Sequence, residues 1–169
     1  MRRGGFTLVE LLIVIGIISL LAALTVPSLN QAKVVARRVA CRGNLRAVGV
    51  AFRMYLDESD DIMPVAAQMP SLELNDDPRI ADVLRPYLSD EKTLLCPADT
   101  EKNYFASEGS SYEYHSSLGG QKVNEWFLAK WLGEERIYVV RDYDPFHGPA
   151  GALEARNNLF ADGHVGGLE

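Results

Sequence analysis

The feature that most constrains this chain is an uninterrupted apolar run near its N-terminus. Residues 11–29 are 19 residues without a charged side chain, and Glu10 is the one charged residue between Phe6 and Leu29. As an α-helix rising about 1.5 Å per residue, this run spans roughly 28 Å, close to the thickness of a bilayer core. The remaining residues are polar in composition, and they predict a water-soluble head.

Three interpretations of residues 1–30 compete. A secretory signal peptide has a basic start, here Arg2 and Arg3, but its apolar stretch is only about 7–15 residues long. A plain transmembrane anchor explains the length and keeps the arginines cytoplasmic by the positive-inside rule. It does not explain Glu10, unless that residue sits at the interface, because a carboxylate inside a bilayer costs about 2.5–3.5 kcal/mol.

The third interpretation takes residues 2–10 together, which read RRGGFTLVE and run into the apolar helix. This string resembles the prepilin signature of type IV pilins and type II secretion pseudopilins. The resemblance implies cleavage between Gly5 and Phe6 by a membrane prepilin peptidase, and N-methylation of the new Phe6 amine. It also implies that Glu10 pairs with the Phe6 amine of a neighbouring subunit, which would neutralise two charges in apolar surroundings.

The resemblance predicts an α+β, type IV pilin-like fold in which one long N-terminal helix packs on a small antiparallel sheet. Residues 1–5 would be the leader, 6–30 the transmembrane and assembly helix, 31–57 its amphipathic half, and 58–169 the globular head. Pro27 lies inside the helical run and should kink or locally melt it, or mark a helix boundary at the membrane exit.

The amphipathic half is predicted from apolar residues that recur at three- and four-residue steps. These are Val34, Val35, Val39, Cys41, Leu45, Val48, Phe52, Tyr55 and Leu56. The acidic residues 57–61 and Pro64 predict the end of the helix. In the head, we expect helices over 80–87 and 123–132 and strands over 112–115 and 137–141. A final hairpin would pair 158–161 with 164–167 around a two-residue type I′ turn at Asp162-Gly163.

Cys41 and Cys96 are the two cysteines. If the head lies outside the cytoplasm, a disulfide between them is favoured, and the alternative is two unlinked thiols. The bond would close a loop of about 55 residues, worth roughly 4 kcal/mol in the chain-entropy model. Two cysteines without CxxC spacing give no indication of zinc.

Three strings in the head extend the resemblance: residues 41–45 (CRGNL), 95–99 (LCPAD) and 159–165 (LFADGHV). They resemble bacterial prepilin-type proteins that have a C-terminal His…Asp-Gly element. The matching histidine is His147, fifteen positions before Asp162, which is longer than the usual spacer. His147 and His164 are also the candidate pair for a transition metal.

Asp142, Asp144 and Asp162 are candidate calcium ligands, because calcium takes several carboxylate and carbonyl oxygens on loops. By resemblance, some secretion pseudopilins bind calcium in the head. The spacing is not that of an EF-hand, and Asp162 is already explained by the predicted turn. No other cofactor is expected.

The sequence contains no Gly-x-Ser-x-Gly, Gly-rich phosphate loop or HExxH pattern, so no enzyme is predicted. A net charge of −6 argues against general nucleic-acid binding. The predicted function is a pseudopilin of a type II secretion pseudopilus. The alternatives are a major or minor subunit of a surface type IV pilus, serving adhesion, motility or DNA uptake, and an exported binding protein that is merely anchored.

The same resemblance predicts the partners and the location. Expected partners are other pilin-like subunits, the prepilin peptidase, a secretion or pilus assembly platform, and the bacterial inner membrane. The chain would cross that membrane once, with a cytoplasmic N-terminus before processing and a periplasmic head.

Overall fold

A computed structural model describes residues 7–73 and 76–167 of the chain. The chain forms two compact units, Met1–Ala36 and Arg37–Glu169. The longest element, helix α1 (Leu8–Glu58), begins in the first unit and ends in the second. The predicted leader and the Gly5–Phe6 junction lie outside the described residues.

Helix α1 is continuous through Pro27. Neither local melting nor a helix boundary occurs at this proline, so those two expectations are wrong, and the expected kink stays a prediction. Proline removes one backbone hydrogen bond, and the helix continues on both sides of it. The helix ends at the predicted acidic segment, where Asp60 and Asp61 adopt left-handed backbone conformations (φ 53° and 62°) that an α-helix cannot continue.

The second unit contains a four-stranded antiparallel sheet in the order β1-β2-β3-β4. The strands are β1 (Tyr112–Tyr114), β2 (Tyr138–Asp142), β3 (Asn158–Phe160) and β4 (Val165–Gly166). Three short helices accompany them: α2 (Ile80–Leu84), α3 (Tyr104–Glu108) and α4 (Phe127–Leu132). The α+β class predicted from the sequence is confirmed.

The apolar stripe of α1 packs on this head through Cys41, Leu45, Val48 and Phe52, all at most 4% exposed. Their steps of four, three and four residues place them on one helical face. Gly49 lets the helix approach β3 closely, since a Cβ there would lie 2.9 Å from a methyl carbon of Leu159.

The stripe begins later than the sequence pattern predicts. Val34, Val35 and Val39 are exposed, whereas Cys41 is buried completely. Spacing alone cannot distinguish a face that packs on the head from an apolar face that continues beyond it, because both show the same helical period.

The shorter helices lie where the sequence predicts them, but each predicted helix is divided into an α-helix and a 3₁₀ turn. The predicted helix over 80–87 is α2 followed by a 3₁₀ turn, Arg85–Tyr87, which begins just before Pro86. The helix predicted over 123–132 is a 3₁₀ turn, Val123–Glu125, then α4, because Trp126 between them is extended. Helix α3 was not predicted.

The C-terminal hairpin exists, but its turn differs from the prediction. The Phe160 N–H donates to the His164 carbonyl and the Gly163 N–H donates to the Phe160 carbonyl, both at 2.9 Å. The loop therefore has three residues, Ala161, Asp162 and Gly163. A type I′ turn would need positive φ at both Asp162 and Gly163, and of these two only Gly163 has it, at 92°.

Candidate functional site

The start of α1 carries a capping box formed by Thr7 and Glu10. The Glu10 carboxylate accepts from the Thr7 N–H at 2.8 Å and from its hydroxyl at 2.7 Å, and the Glu10 N–H donates back to that hydroxyl oxygen at 3.2 Å. These bonds satisfy backbone donors that the first helical turn leaves free. Glu10 thus has a local structural role within one chain.

Beyond this cap, α1 presents apolar surface. Every large apolar side chain from Leu8 to Leu29 is at least 46% exposed, and α1 is long and apolar enough to cross a membrane. A surface of this kind needs lipid or other apolar helices around it.

In the head, a disulfide joins Cys41 of α1 to Cys96, with the two Cα atoms 5.1 Å apart. One turn further along α1, the Asn44 side-chain amide donates to the Leu95 carbonyl at 2.7 Å. Together these contacts hold α1 to the loop that follows the 3₁₀ turn Glu91–Leu94.

A buried polar network continues from this disulfide. Asp142, at the end of β2, is completely buried, and its Oδ2 accepts from the backbone N–H (2.7 Å) and the side-chain amide (3.1 Å) of Asn157. The Asn157 side-chain oxygen accepts from Arg42 Nε at 3.0 Å. The network therefore links a guanidinium on α1 to a carboxylate on the sheet.

His147 completes the cluster. Its Nε2 lies 3.5 Å from Asp142 Oδ2 and 3.6 Å from Cys96 Sγ. Burial raises the pKa of Asp142 to about 7 and lowers the pKa of His147 to about 4. Between those values both side chains are neutral, so the contact between them is not an ion pair.

The comparison with known families concerns the N-terminal segment. Residues 1–26 match the family model described as the prokaryotic N-terminal methylation motif. The chain thus carries this motif, and its N-terminal segment is similar to those of type IV pilins and type II secretion pseudopilins.

Two characterised pilin-like proteins resemble this chain. It is 36% identical over 59 residues to the type IV major pilin protein PilA of Myxococcus xanthus, covering 35% of this chain and 27% of that protein. It is 35% identical over 54 residues to the type II secretion system core protein G of Pseudomonas aeruginosa, covering 32% of this chain and 38% of that protein. The matched region thus spans well under half of either relative. No solved structure matches the chain.

The three candidate calcium ligands of this pilin-like chain have separate partners. Asp142 is held by Asn157, Asp144 lies 2.8 Å from the Lys102 ammonium, and Asp162 accepts from His164. Among the described residues, the one group of three or more His, Cys, Asp or Glu that could hold an ion is Cys41, Cys96 and His147. The structure does not bring the three aspartates into one calcium site.

The two candidate histidines also have separate surroundings. His164 Nδ1 lies 2.6 Å from Asp162 Oδ1, and its ring stacks on Phe160 with the centroids 4.2 Å apart. His147 instead faces Cys96 and Asp142. The partners of His164 belong to the hairpin itself, so this histidine helps to shape the turn.

Sequence reasoning missed Thr7 and Asn157. Thr7 carried a recognisable signal, because Thr-x-x-Glu at the start of an apolar helix is the pattern of a capping box. Asn157 carried none, since its partners Asp142 and Arg42 are 15 and 115 positions away.

Proposed function

We propose that the chain is a pseudopilin, a structural subunit of a type II secretion pseudopilus that assembles through α1. The observation that carries this proposal is the exposed apolar surface of α1 from Leu8 to Leu29, which a filament of bundled helices would cover. The similarity to core protein G of a type II secretion system supports the assignment to a secretion pseudopilus.

A subunit of a surface type IV pilus is the second candidate, supported by the similarity to a major pilin. Deleting the gene distinguishes the two. A pseudopilin mutant loses secreted proteins from the medium and keeps any surface pili. Loss of surface filaments with unchanged secretion would refute the pseudopilus assignment and support the pilus.

Processing is the first step of the proposed function. The peptidase would cut between Gly5 and Phe6 in the inner membrane and leave a methylated Phe6 amine, with the head in the periplasm. Mass spectrometry of the N-terminal peptide from native membranes should find this methylated terminus. An intact MRRGG leader in wild-type cells would favour the merely anchored binding protein instead.

In the assembled filament, Glu10 would pair with the Phe6 amine of a neighbour. Three variants separate this role from the capping box. Glu10→Gln keeps a side chain suited to this box position but removes the charge, Thr7→Val removes the hydroxyl and keeps the charge, and Glu10→Val removes both functions of residue 10.

The pairing predicts that Glu10→Gln and Glu10→Val insert into the membrane normally but fail to join filaments, while Thr7→Val assembles. Crosslinking of neighbouring subunits in membranes measures assembly. Normal assembly of Glu10→Gln would show that the charge is dispensable.

A further inference from the structure

The buried cluster at Cys41, Cys96 and His147 has the composition of a metal site. The three ligand atoms, two sulfurs and an imidazole nitrogen, all lie within 4.8 Å of one another, and all three residues are buried. They come from α1, the segment after the Glu91–Leu94 turn, and the loop after β2. The Asp142 carboxylate adds a fourth ligand type, 3.5 Å from the imidazole.

The polar groups of this cluster are poorly satisfied while the disulfide is formed. His147 Nδ1 and Asp142 Oδ1 are buried and have no hydrogen-bond partner within the described part of the chain. His147 Nε2 has only the long contacts to a disulfide sulfur and to Asp142. Burying an imidazole and a carboxyl group in this way is unfavourable, and a cation bound to His147 Nε2 would replace the long contacts of that atom with a ligand bond.

Two distances in the cluster match those of a tetrahedral zinc site, and the two sulfurs, which are bonded to each other in the disulfide, would separate on reduction to bind the ion. With Zn–S of about 2.3 Å and Zn–N of about 2.0–2.1 Å, a tetrahedral angle places sulfur and nitrogen about 3.6 Å apart. The Cys96 Sγ to His147 Nε2 distance is 3.6 Å. Nitrogen and carboxylate oxygen would lie about 3.4 Å apart in the same geometry, against 3.5 Å here.

We propose that the dithiol form of the head binds one Zn²⁺ through Cys41, Cys96, His147 and Asp142, so that zinc and the disulfide are alternative links between α1 and the head. A small-molecule or protein dithiol reduces the Cys41–Cys96 bond, and the reductant leaves as its own disulfide. Zn²⁺ then displaces the two thiol protons and bonds to both thiolates.

The surrounding network suits this role. Asn157 already holds one oxygen of the Asp142 carboxylate through two hydrogen bonds, and Arg42 in turn donates to Asn157. Partners of this kind orient a ligating carboxylate in metal sites. The Arg42 guanidinium also acts electrostatically on His147, and two thiolates and a carboxylate would leave a net negative charge around the ion for it to balance.

The test uses the full chain in detergent, prepared oxidised or reduced with a phosphine, freed of metal with EDTA, and desalted. Each sample receives excess Zn²⁺, is desalted again, and is assayed for zinc per chain. We expect about one zinc in the reduced chain and none in the oxidised chain. Co²⁺ in place of zinc should give thiolate-to-cobalt charge-transfer absorption and tetrahedral visible bands in the reduced chain only.

Variants then identify the ligands. His147→Ala should weaken zinc binding at least 10-fold, and Asp142→Asn should weaken it less, since the thiolates and the imidazole remain. His115→Ala, which changes a histidine that stacks on Tyr138 away from the cluster, is the matched control. Each variant is first shown to fold in its oxidised form, where the disulfide does not depend on zinc.

Zinc retained equally by oxidised and reduced chain would overturn the proposal, as would no zinc in the reduced chain or undiminished affinity in His147→Ala. A reduced head that loses its fold without zinc and regains it with zinc supports the proposal, because binding to the folded state alone stabilises that state.

Discussion

The disulfide should contribute several kcal/mol to the stability of the head, and this can be measured without changing any residue. Cys41 and Cys96 are 55 positions apart. The chain-entropy model gives about 4 kcal/mol for a loop of that length. With an m-value of about 2 kcal/mol per molar urea, reduction should lower the urea midpoint by about 2 M.

The assay is urea unfolding of the oxidised and the phosphine-reduced full chain, both in EDTA and detergent. Fluorescence of the half-buried Trp126 reports on the head. A thiol titration of the exported, denatured chain, which should find no free thiol, checks the starting state. A midpoint shift below about 0.5 M, with equal m-values, would refute the claim that this link constrains the unfolded chain.

Three smaller perturbations test the packing, the titration and the hairpin. Leu45→Ala should lower the free energy of unfolding in urea by about 2–5 kcal/mol, because this side chain of α1 is fully buried against the head. A loss below about 1 kcal/mol would contradict the packing of this helical face on the head. Burial lowers the pKa of His115 from its ordinary 6.5, so the head loses stability as the pH falls below 6.5, and His115→Gln should remove part of that loss in urea unfolding measured across this pH range. Gly163→Ala should destabilise the hairpin by about 1 kcal/mol because its φ is +92°, whereas Gly43→Ala, where a Cβ meets open space in a helix, should add about 0.5–1 kcal/mol to stability.

Periodicity predicted the regular parts of this fold well. The helical steps through Leu45, Val48 and Phe52 identified the buried face of α1, and β-branched and aromatic residues identified β1 and β2. These signals are local, so they can be recognised in the sequence without knowledge of the tertiary structure. The same local rule failed at Val34 and Val35, because apolar spacing does not say what covers a helix.

The details that failed were those decided by partners far along the chain. Asp-Gly suggested a two-residue turn, but the pairing of Phe160 with His164 admits a three-residue loop in which only Gly163 needs a left-handed backbone. The number of nearby carboxylates suggested a calcium site. In the structure, however, Asp144 forms an ion pair with Lys102, and Asp142 accepts a hydrogen bond from Asn157. Which distant residue binds a given side chain cannot be recognised from the few residues around it in the sequence.

The disulfide between Cys41 and Cys96 also governs how the head responds to mechanical force. Tension applied along the backbone passes from Cys41 directly to Cys96 and bypasses the residues between them. Fully stretched, those 55 positions would add roughly 190 Å of contour at about 3.3–3.6 Å per residue. While the disulfide is intact, the residues between Cys41 and Cys96 cannot extend under tension. A head pulled through α1 can then lengthen only through residues outside this loop.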